Sequence, residues 1–289
     1  MQRRIKLLAL GLVGACILPV LTGCEGDITN PPLREEIAVF GFLYVGESVT
    51  EANALLVTRT QPVLDPYDPE QAVVTDATVT LRREGKSVPD TLTMVRPGYY
   101  ADPAFAVDPL TVYHLTVSVP GEETITATTT TPVSYNLYNG PLPLPATMRL
   151  ADIPDRYAFE LTCSDPRQIF LLDVYCLESW EEARYVNPWG DHDRPDDEEE
   201  YGYENGEPRR ISAYFRIEDV PRDYNIYTIG FYSAMMVFWG NYEVSLLAVD
   251  DNYYDFLYRE HPEENGGIVG GIGVFGSACR SRYLVKITE

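Results

Sequence analysis

The chain has 289 residues, a formal net charge of −22 at neutral pH and a hydrophobic fraction of 45%. A surface this acidic repels nucleic acid and anionic lipid headgroups, so we expect neither to be a partner. The length suits one or two globular domains, and the 21 tyrosines and 22 prolines favour sheets joined by turns.

Residues 1–23 predict a lipoprotein signal peptide. Basic Arg3, Arg4 and Lys6 precede an uncharged apolar stretch, residues 7–21, that is too short for a membrane-spanning helix. The stretch ends in Leu21-Thr22-Gly23-Cys24, the pattern of a lipobox, whose cysteine is lipidated and becomes the mature N-terminus. An ordinary signal peptide with an incidental cysteine is the alternative. We expect lipidation at Cys24, which anchors a mature chain of net charge −25 to the membrane, because cleavage removes three positive charges.

Residues 24–36 predict an acidic tether that contains two prolines. Glu25 and Asp27 closely follow the cysteine, and acidic residues at this place resemble the signal that exports lipoproteins of some Gram-negative bacteria to the cell surface. We therefore expect a lipid-anchored protein of the outer membrane, on its periplasmic face or at the cell surface.

Residues 37–131 predict a β-sandwich of the immunoglobulin or fibronectin type, with a transthyretin-like sandwich as the alternative. The segment reads as about seven short strands, the first two of which cover residues 37–44 and 55–60. Hydrophobic alternation indicates which residues face the core of this sandwich. They are Ala77, Val79 and Leu81 on one strand, and Tyr113, Leu115, Val117 and Val119 on another.

Residues 132–150 predict an extended linker, because Pro141, Pro143 and Pro145 alternate there. Residues 151–289 predict a β-rich C-terminal domain. Its first two strands, residues 157–163 and 168–175, are expected to form a hairpin around the turn sequence of residues 164–167.

One short helix is predicted after Asp250, with Asp251 or Asn252 as its N-cap. On such a helix Tyr254, Leu257 and Tyr258 share one face. A glycine-rich stretch, residues 266–276, and a final strand over residues 283–287 complete the predicted C-terminal domain.

Three cysteines, Cys163, Cys176 and Cys279, are left after the signal peptide and the lipidated residue are set aside. One disulfide with one free thiol, and three free thiols, are both compatible with this odd number. No two of them have the C-x-x-C spacing of a redox motif or a zinc ribbon.

Two motifs suggest ligands but fit other interpretations better. Gly271-Ile272-Gly273-Val274-Phe275-Gly276 matches G-x-G-x-x-G, yet a strand follows it instead of the helix that a dinucleotide site needs. We expect these glycines to allow a bulge or close packing. The acidic run of residues 191–200 lacks the order of a calcium loop, so a solvated insertion is preferred to a cation site. No cofactor and no metal site are predicted.

Aromatic residues cluster around that acidic run and predict an interaction surface. Tyrosine and tryptophan anchor protein interfaces and stack on sugar rings and other apolar ligands. Packing against the sheet of the C-terminal domain is the alternative role. The residues are Trp180, Tyr185, Trp189, Tyr201 and Tyr203.

Several stretches, in order along the chain, together resemble the lipoprotein family known as domain of unknown function DUF4249, from Gram-negative bacteria of the gliding and polysaccharide-degrading kind. One departure is Asp108-Pro109-Leu110, where the family tends to have a glycine turn. The matching stretches are residues 24–25, 37–43, 57–62, 74–80, 97–100, 113–117, 250–257 and 270–276.

The resemblance implies an envelope role, because members are similar to accessory lipoproteins that accompany TonB-dependent outer-membrane transporters. The family has no established catalytic residues to carry over, and the sequence lacks H-E-x-x-H, G-x-S-x-G and P-loop motifs. We therefore expect a non-enzymatic accessory of a TonB-dependent nutrient uptake system. A free-standing glycan- or peptide-binding surface lipoprotein and a structural or adhesive envelope protein are the alternatives.

Overall fold

The computed structural model of this protein describes residues 35–62, 66, 68–137, 147–149, 156–179, 181–185, 203–204, 207–208, 210–232, 236, 238–261 and 266–288. Residues 36–60 and the chain from residue 68 onward belong to one compact unit.

Short strands dominate the first part of the described chain, as the alternating sequence predicts. A 3-10 turn, Glu51–Asn53, and a helical turn, Pro69–Ala72, lie between them and were not expected. The strands are β1 (Ile37–Tyr44), β2 (Ser48–Val49), β3 (Leu55–Arg59), β4 (Thr78–Arg83), β5 (Asp90–Thr91), β6 (Thr93–Arg96), β7 (Tyr99–Ala106), β8 (Val112–Ser118) and β9 (Ile125–Thr130).

The second part of the described chain is also mostly strand. It holds the predicted short helix, α1 (Asp251–Tyr258), and a 3-10 turn, Ile217–Asp219. The strands are β10 (Asn136–Leu137), β11 (Thr147–Arg149), β12 (Arg156–Thr162), β13 (Ile169–Cys176), β14 (Arg184–Tyr185), β15 (Tyr203–Glu204), β16 (Glu207–Pro208), β17 (Arg210–Arg216), β18 (Arg222–Asp223), β19 (Ile226–Tyr232), β20 (Phe238–Val249), β21 (Ile268–Val269) and β22 (Ile272–Thr288).

One long sheet organises the molecule. Its strands follow the order β17-β13-β20-β22-β1-β3-β7-β2, and β11, β14 and β6 attach to β22, β20 and β7. Two further sheets have the orders β21-β9-β8-β4-β5 and β10-β12-β19-β18, and β15 pairs with β16. The sheet containing β9 and the sheet containing β12 each pack against the long sheet, as their shared cores show.

The first sandwich forms between the long sheet and the sheet of β4, β8 and β9. Its core takes Val39 and Val57 from the long sheet and Leu81 and Leu115 from the facing sheet. All four side chains are at most 1% exposed. The predicted inward rows of β4 and β8 are confirmed, since Val79, Leu81, Tyr113, Leu115, Val117 and Val119 are buried and Ala77 packs against the core.

The second sandwich forms between the long sheet and the sheet of β12 and β19. Leu161 of β12 meets Phe170 of β13 in its core, and the Tyr135 hydroxyl, also buried there, donates to the Leu246 carbonyl at 2.7 Å. Tyr135 lies within the predicted linker, so this part of the linker contributes to the core.

The predicted hairpin of residues 157–175 is wrong. Strand β12 pairs with β10 and β19, whereas β13 pairs with β17 and β20 in the long sheet. The turn between them crosses from one sheet to the other because both strands carry apolar residues into the same core. Strand β13 is buried on both faces, as expected for a strand inside a covered sheet, and β17 and β20 occupy its two edges.

Strand β22 belongs to both sandwiches. It runs parallel to β1 at its start, with Val39 opposite Gly273, and antiparallel to β20 further on. Phe275 lies in the first core and Val285 in the second. The two predicted domains therefore share the long sheet, while their division at residues 132–150 stays a prediction.

Close approach explains the glycines of the G-x-G-x-x-G stretch. Gly273 has φ 112°, and a Cβ there would lie 2.1 Å from the Val39 carbonyl oxygen of β1. A Cβ on Gly271 would lie 2.6 Å from the Ile37 carbonyl oxygen. The expectation of close packing is confirmed, and a strand follows this stretch.

The expected fold class is confirmed. The chain is mainly β, with a β-sandwich in its N-terminal part, β-rich structure after it and one short helix. Both facing sheets cover the same face of the long sheet. Helix α1 covers part of the opposite face, where it packs on Leu171, Leu247 and Val249.

Candidate functional site

The predicted aromatic surface and the predicted lipidation site lie largely outside the described residues. Cys24, Trp180, Trp189 and Tyr201 are outside them, as is the acidic run 191–200. Tyr185 pairs with Phe238 in β14, and Tyr203 pairs with Pro208 in β15, by their backbones. These assignments stay predictions.

Helix α1 is positioned by the aspartate that precedes it. Asp250, and not Asp251 or Asn252 as expected, is the N-cap, because its carboxylate accepts a hydrogen bond from the Tyr253 backbone N–H at 3.0 Å. Asn252 instead ties the helix to the two sandwich sheets, donating to the Thr128 and Phe275 carbonyl oxygens at 2.8 and 2.9 Å.

The Asp250 carboxyl is the most strongly perturbed acid among the described residues. Burial raises its pKa from 3.8 to about 6, although hydrogen bonds from Thr129, Ser277 and Tyr253 favour the charged form and oppose the rise. The Thr129 hydroxyl donates to one carboxylate oxygen at 2.5 Å, and the Ser277 backbone N–H donates to the other at 2.9 Å.

This carboxyl joins strands β9 and β22 to helix α1. A pKa near 6 would suit acid–base chemistry. However, protein donors occupy both oxygens, and the group caps a helix. A cavity of about 430 Å³ lies beside it, with a mixed lining of polar groups, among them the threonines of β9 and Gln168, and apolar groups such as Ile169. The contacts of Asp250 are those of a structural carboxyl.

Three tyrosines form an exposed aromatic cluster at the end of α1, which we call the tyrosine cluster: Tyr214 of β17 with Tyr254 and Tyr258 of the helix. The Tyr214 ring centroid lies 4.5 Å from that of Tyr258 and 5.2 Å from that of Tyr254. The two helix rings are 5.3 Å apart. Tyr214 is 48% exposed, Tyr258 is 36% exposed and the neighbouring Leu257 is 46% exposed. An aromatic group this accessible is typical of contact surfaces.

Burial and neighbouring groups act on two hydroxyls of the tyrosine cluster. Burial, followed by the neighbouring Tyr214, raises the pKa of Tyr254. Burial, followed by the nearby Asp173 carboxylate, raises the pKa of Tyr258. Tyr254 and Tyr258 are therefore neutral at physiological pH, and a neutral phenol hydroxyl can both donate and accept a hydrogen bond.

The sheet face beside the tyrosine cluster is polar. Register places Asp173 of β13 opposite Ser245 of β20, and Ser245 opposite Arg282 of β22. Asp173 and Ser245 are buried, whereas the Arg282 side chain is half exposed. Residues in such a row share one face. It is the face that carries α1, because Leu171, two residues before Asp173, packs under the helix.

The next row adds a carboxylate. Glu243 of β20 lies opposite Tyr175 and Leu284, and its oxygens lie 3.1 Å from the Ser245 hydroxyl and 4.0 Å from the Arg282 guanidinium. The Arg282 side chain is 50% exposed and that of Glu243 is 22% exposed. We call Ser245, Glu243 and Arg282 the polar row.

A second ion pair borders the same face at β1. Arg280 donates two hydrogen bonds to the Glu47 carboxylate, at 2.7 and 2.6 Å, and its guanidinium lies 3.7 Å from the centre of the Tyr44 ring. This bidentate geometry is rigid. The Arg280–Glu47 ion pair lies at one edge of this face, and the tyrosine cluster lies at the opposite edge, on β17.

The described cysteines, acidic residues and helices bear on the sequence predictions. Cys163, Cys176 and Cys279 are all free thiols, so of the two alternatives the structure has three free thiols and not one disulfide. Across the described ranges, no three histidine, cysteine or acidic side chains gather as a metal site. No helix in the part of the chain that the structure describes is long and apolar enough to cross a membrane.

Sequence reasoning missed the tyrosine cluster. The spacing of Tyr254 and Tyr258 predicts one helix face, but Tyr214 lies forty residues earlier on another element. The polar row was missed because its members come from separate strands whose register is not visible in the sequence. The one available signal is the break in hydrophobicity at Asp173, which lies opposite Ser245 of the polar row and inside an otherwise apolar strand.

The family model described as "Domain of unknown function (DUF4249)" matches residues 36–278. No protein with a curated description matches the sequence. The FN1–FN3 domains of chicken CNTN1 are similar over 87% of this chain and 65% of that one, with 8% identity and a TM-score of 0.19. Escherichia coli alpha-2-macroglobulin activated by porcine elastase is similar over 89% of this chain and 24% of that one, with 12% identity and a TM-score of 0.20. TM-scores of this size do not establish a shared topology.

Proposed function

We propose that this chain, which belongs to the family described as domain of unknown function DUF4249, is a non-enzymatic accessory of a TonB-dependent nutrient uptake system. It is anchored to the outer membrane by lipid on Cys24 and works by contact rather than by chemical turnover.

The exposed tyrosine cluster is the observation that supports a contact function most directly. Tyrosine is enriched where proteins bind partners and ligands, since it combines a large apolar face with a hydrogen-bonding tip. Here three such rings lie together, and Tyr214 is 48% exposed. The most perturbed acid, Asp250, is by contrast occupied in holding α1.

The lipobox and the family resemblance support the location and the partner. Leu21-Thr22-Gly23-Cys24 predicts an N-terminal lipid, and the acidic residues after it resemble an export signal. The strong negative charge suits a protein held by acyl chains and not by a basic surface.

Deleting the gene and measuring uptake tests the proposal. Growth on the nutrient of the associated transporter should fall, and the wild-type gene should restore it. A Cys24→Ala variant should not restore it, although the folded chain is made. Unchanged uptake and growth on every nutrient tested would refute the accessory function.

A further inference from the structure

We propose that the face of the long sheet beside α1 binds a neutral oligosaccharide, with one sugar ring on the tyrosine cluster and the following hydroxyls on the polar row. This inference rests on the proposed function and deepens it, because it names the class of nutrient that the protein captures.

The tyrosine cluster provides the apolar part of such a site. A sugar ring presents C–H groups on its faces, and these pack on aromatic rings as other apolar groups do. Tyr214 and Tyr258 keep part of their rings open to solvent, and their mutual contact at 4.5 Å fixes both ring planes in advance. A preformed surface of this kind loses little side-chain entropy on binding.

The polar row provides the hydroxyl-binding part. The Glu243 carboxylate offers two acceptor oxygens and the Arg282 guanidinium offers several donors in one plane. Their 4.0 Å separation is too long for a hydrogen bond, so both groups retain capacity for neighbouring hydroxyls of a sugar. Ser245 is buried, and its hydroxyl donates to the Glu243 carboxylate at 3.1 Å, so it orients that carboxylate instead of contacting the sugar.

The dimensions of the face favour a chain of sugars. Tyr214 stands on β17 and Arg282 on β22, with β13 and β20 between them. At about 4.8 Å per strand the distance across these positions is roughly 14 Å. This is longer than a single sugar ring, so we infer an oligosaccharide.

Charge favours a neutral ligand over an acidic one. The chain carries a net charge of −22, and the face presents the partly exposed Glu243 carboxylate, with Asp173 buried beside it. Acidic sugars would be repelled at long range and would meet the Glu243 carboxylate on arrival.

Calorimetric titration of the intact purified chain with neutral gluco-, manno- and xylo-oligosaccharides tests the inference. The protein is kept in an amine-oxide detergent, because a detergent with sugar headgroups would compete. At least one series should bind, and Tyr214→Ala or Tyr258→Ala should weaken binding roughly tenfold. Tyr214→Phe keeps the ring and should retain most of the affinity, whereas Glu243→Gln should weaken it.

Tyr224→Ala is the matched control. Tyr224 is 89% exposed in the turn between β18 and β19, in the sheet that packs on the other face of the long sheet. This variant should bind like the wild type, and thermal unfolding should show that all variants are folded.

Two outcomes would overturn the inference. They are no binding of any neutral series to the intact chain, and equal binding by the Tyr214→Ala and Tyr224→Ala variants. If the wild-type chain binds no sugar and the Tyr214→Ala variant no longer pulls down the transporter, the tyrosine cluster is a protein-docking surface instead. That result would refute oligosaccharide binding but would leave the accessory function supported.

Discussion

Replacing Asp250 with asparagine is expected to remove a pH-dependent loss of stability. Burial raises the pKa of this carboxyl from 3.8 to about 6, so the folded state holds its proton more tightly than the unfolded state. The contribution of the protonated Asp250 carboxyl to the unfolding free energy is therefore fully present below pH 4 and is lost as the pH rises through 6. This rise of the Asp250 pKa from 3.8 to about 6 corresponds to about 3 kcal/mol of unfolding free energy.

The asparagine variant can rebuild the local hydrogen bonds. Its side-chain oxygen can accept from the Tyr253 and Ser277 backbone N–H groups, and asparagine is a good N-cap. Its amide N–H₂ can donate to the Thr129 hydroxyl, which lies 2.8 Å from the Ser277 hydroxyl and can donate onward to it. The variant should match the parent at pH 4 and exceed its stability at pH 7 by up to about 3 kcal/mol.

Urea unfolding followed by circular dichroism between pH 4 and pH 7.5 measures this difference. Asp90→Asn removes an equal charge from an exposed position on β5, so it controls for the net charge. A stability difference between Asp250→Asn and the parent that stays constant across this range would refute the reasoning, because a buried carboxyl with a raised pKa must produce a slope.

Three further changes test other parts of the structure. Gly273→Ala should lower the unfolding free energy by more than about 3 kcal/mol, because its Cβ would collide with the backbone of β1. Gly121 also has positive φ but has open space around it, so Gly121→Ala should lower the unfolding free energy by only about 1 to 2 kcal/mol. Equal losses for the two variants in urea unfolding would contradict the close approach of Gly273 to β1. Leu110→Gly should raise stability by up to about 1 kcal/mol in the same assay, because Leu110 has φ 51° in an exposed turn; a clear loss would contradict strain there. Cys24→Ala should move the protein from the membrane fraction to the soluble fraction on immunoblots, and continued membrane association would argue against a lipid anchor.

The sequence predicts the strands well because apolar and polar residues alternate along a half-buried strand. The inward rows of β4 and β8 follow from Val79, Leu81, Leu115 and Val117, and the family resemblance indicates a glycine turn where Leu110 adopts positive φ. These features are local, so a short window of residues determines them.

The pairing of strands could not be predicted, because it depends on residues far apart in the chain. The turn at residues 164–167 has hairpin chemistry, yet it connects two different sheets since Leu161 and Phe170 fill one core from opposite sides. The pairing of Val39 with Gly273 joins the two ends of the described chain. The tyrosine cluster and the polar row are products of this long-range register, so they appear only in the fold.

Crosslinking the tagged protein in its native membrane, purifying it in detergent and identifying the bound proteins tests the accessory function. We expect a TonB-dependent transporter in near-equal amount, and its loss from the Cys24→Ala variant. Recovery of the lipoprotein alone, from membranes that contain the transporter, would contradict the accessory function.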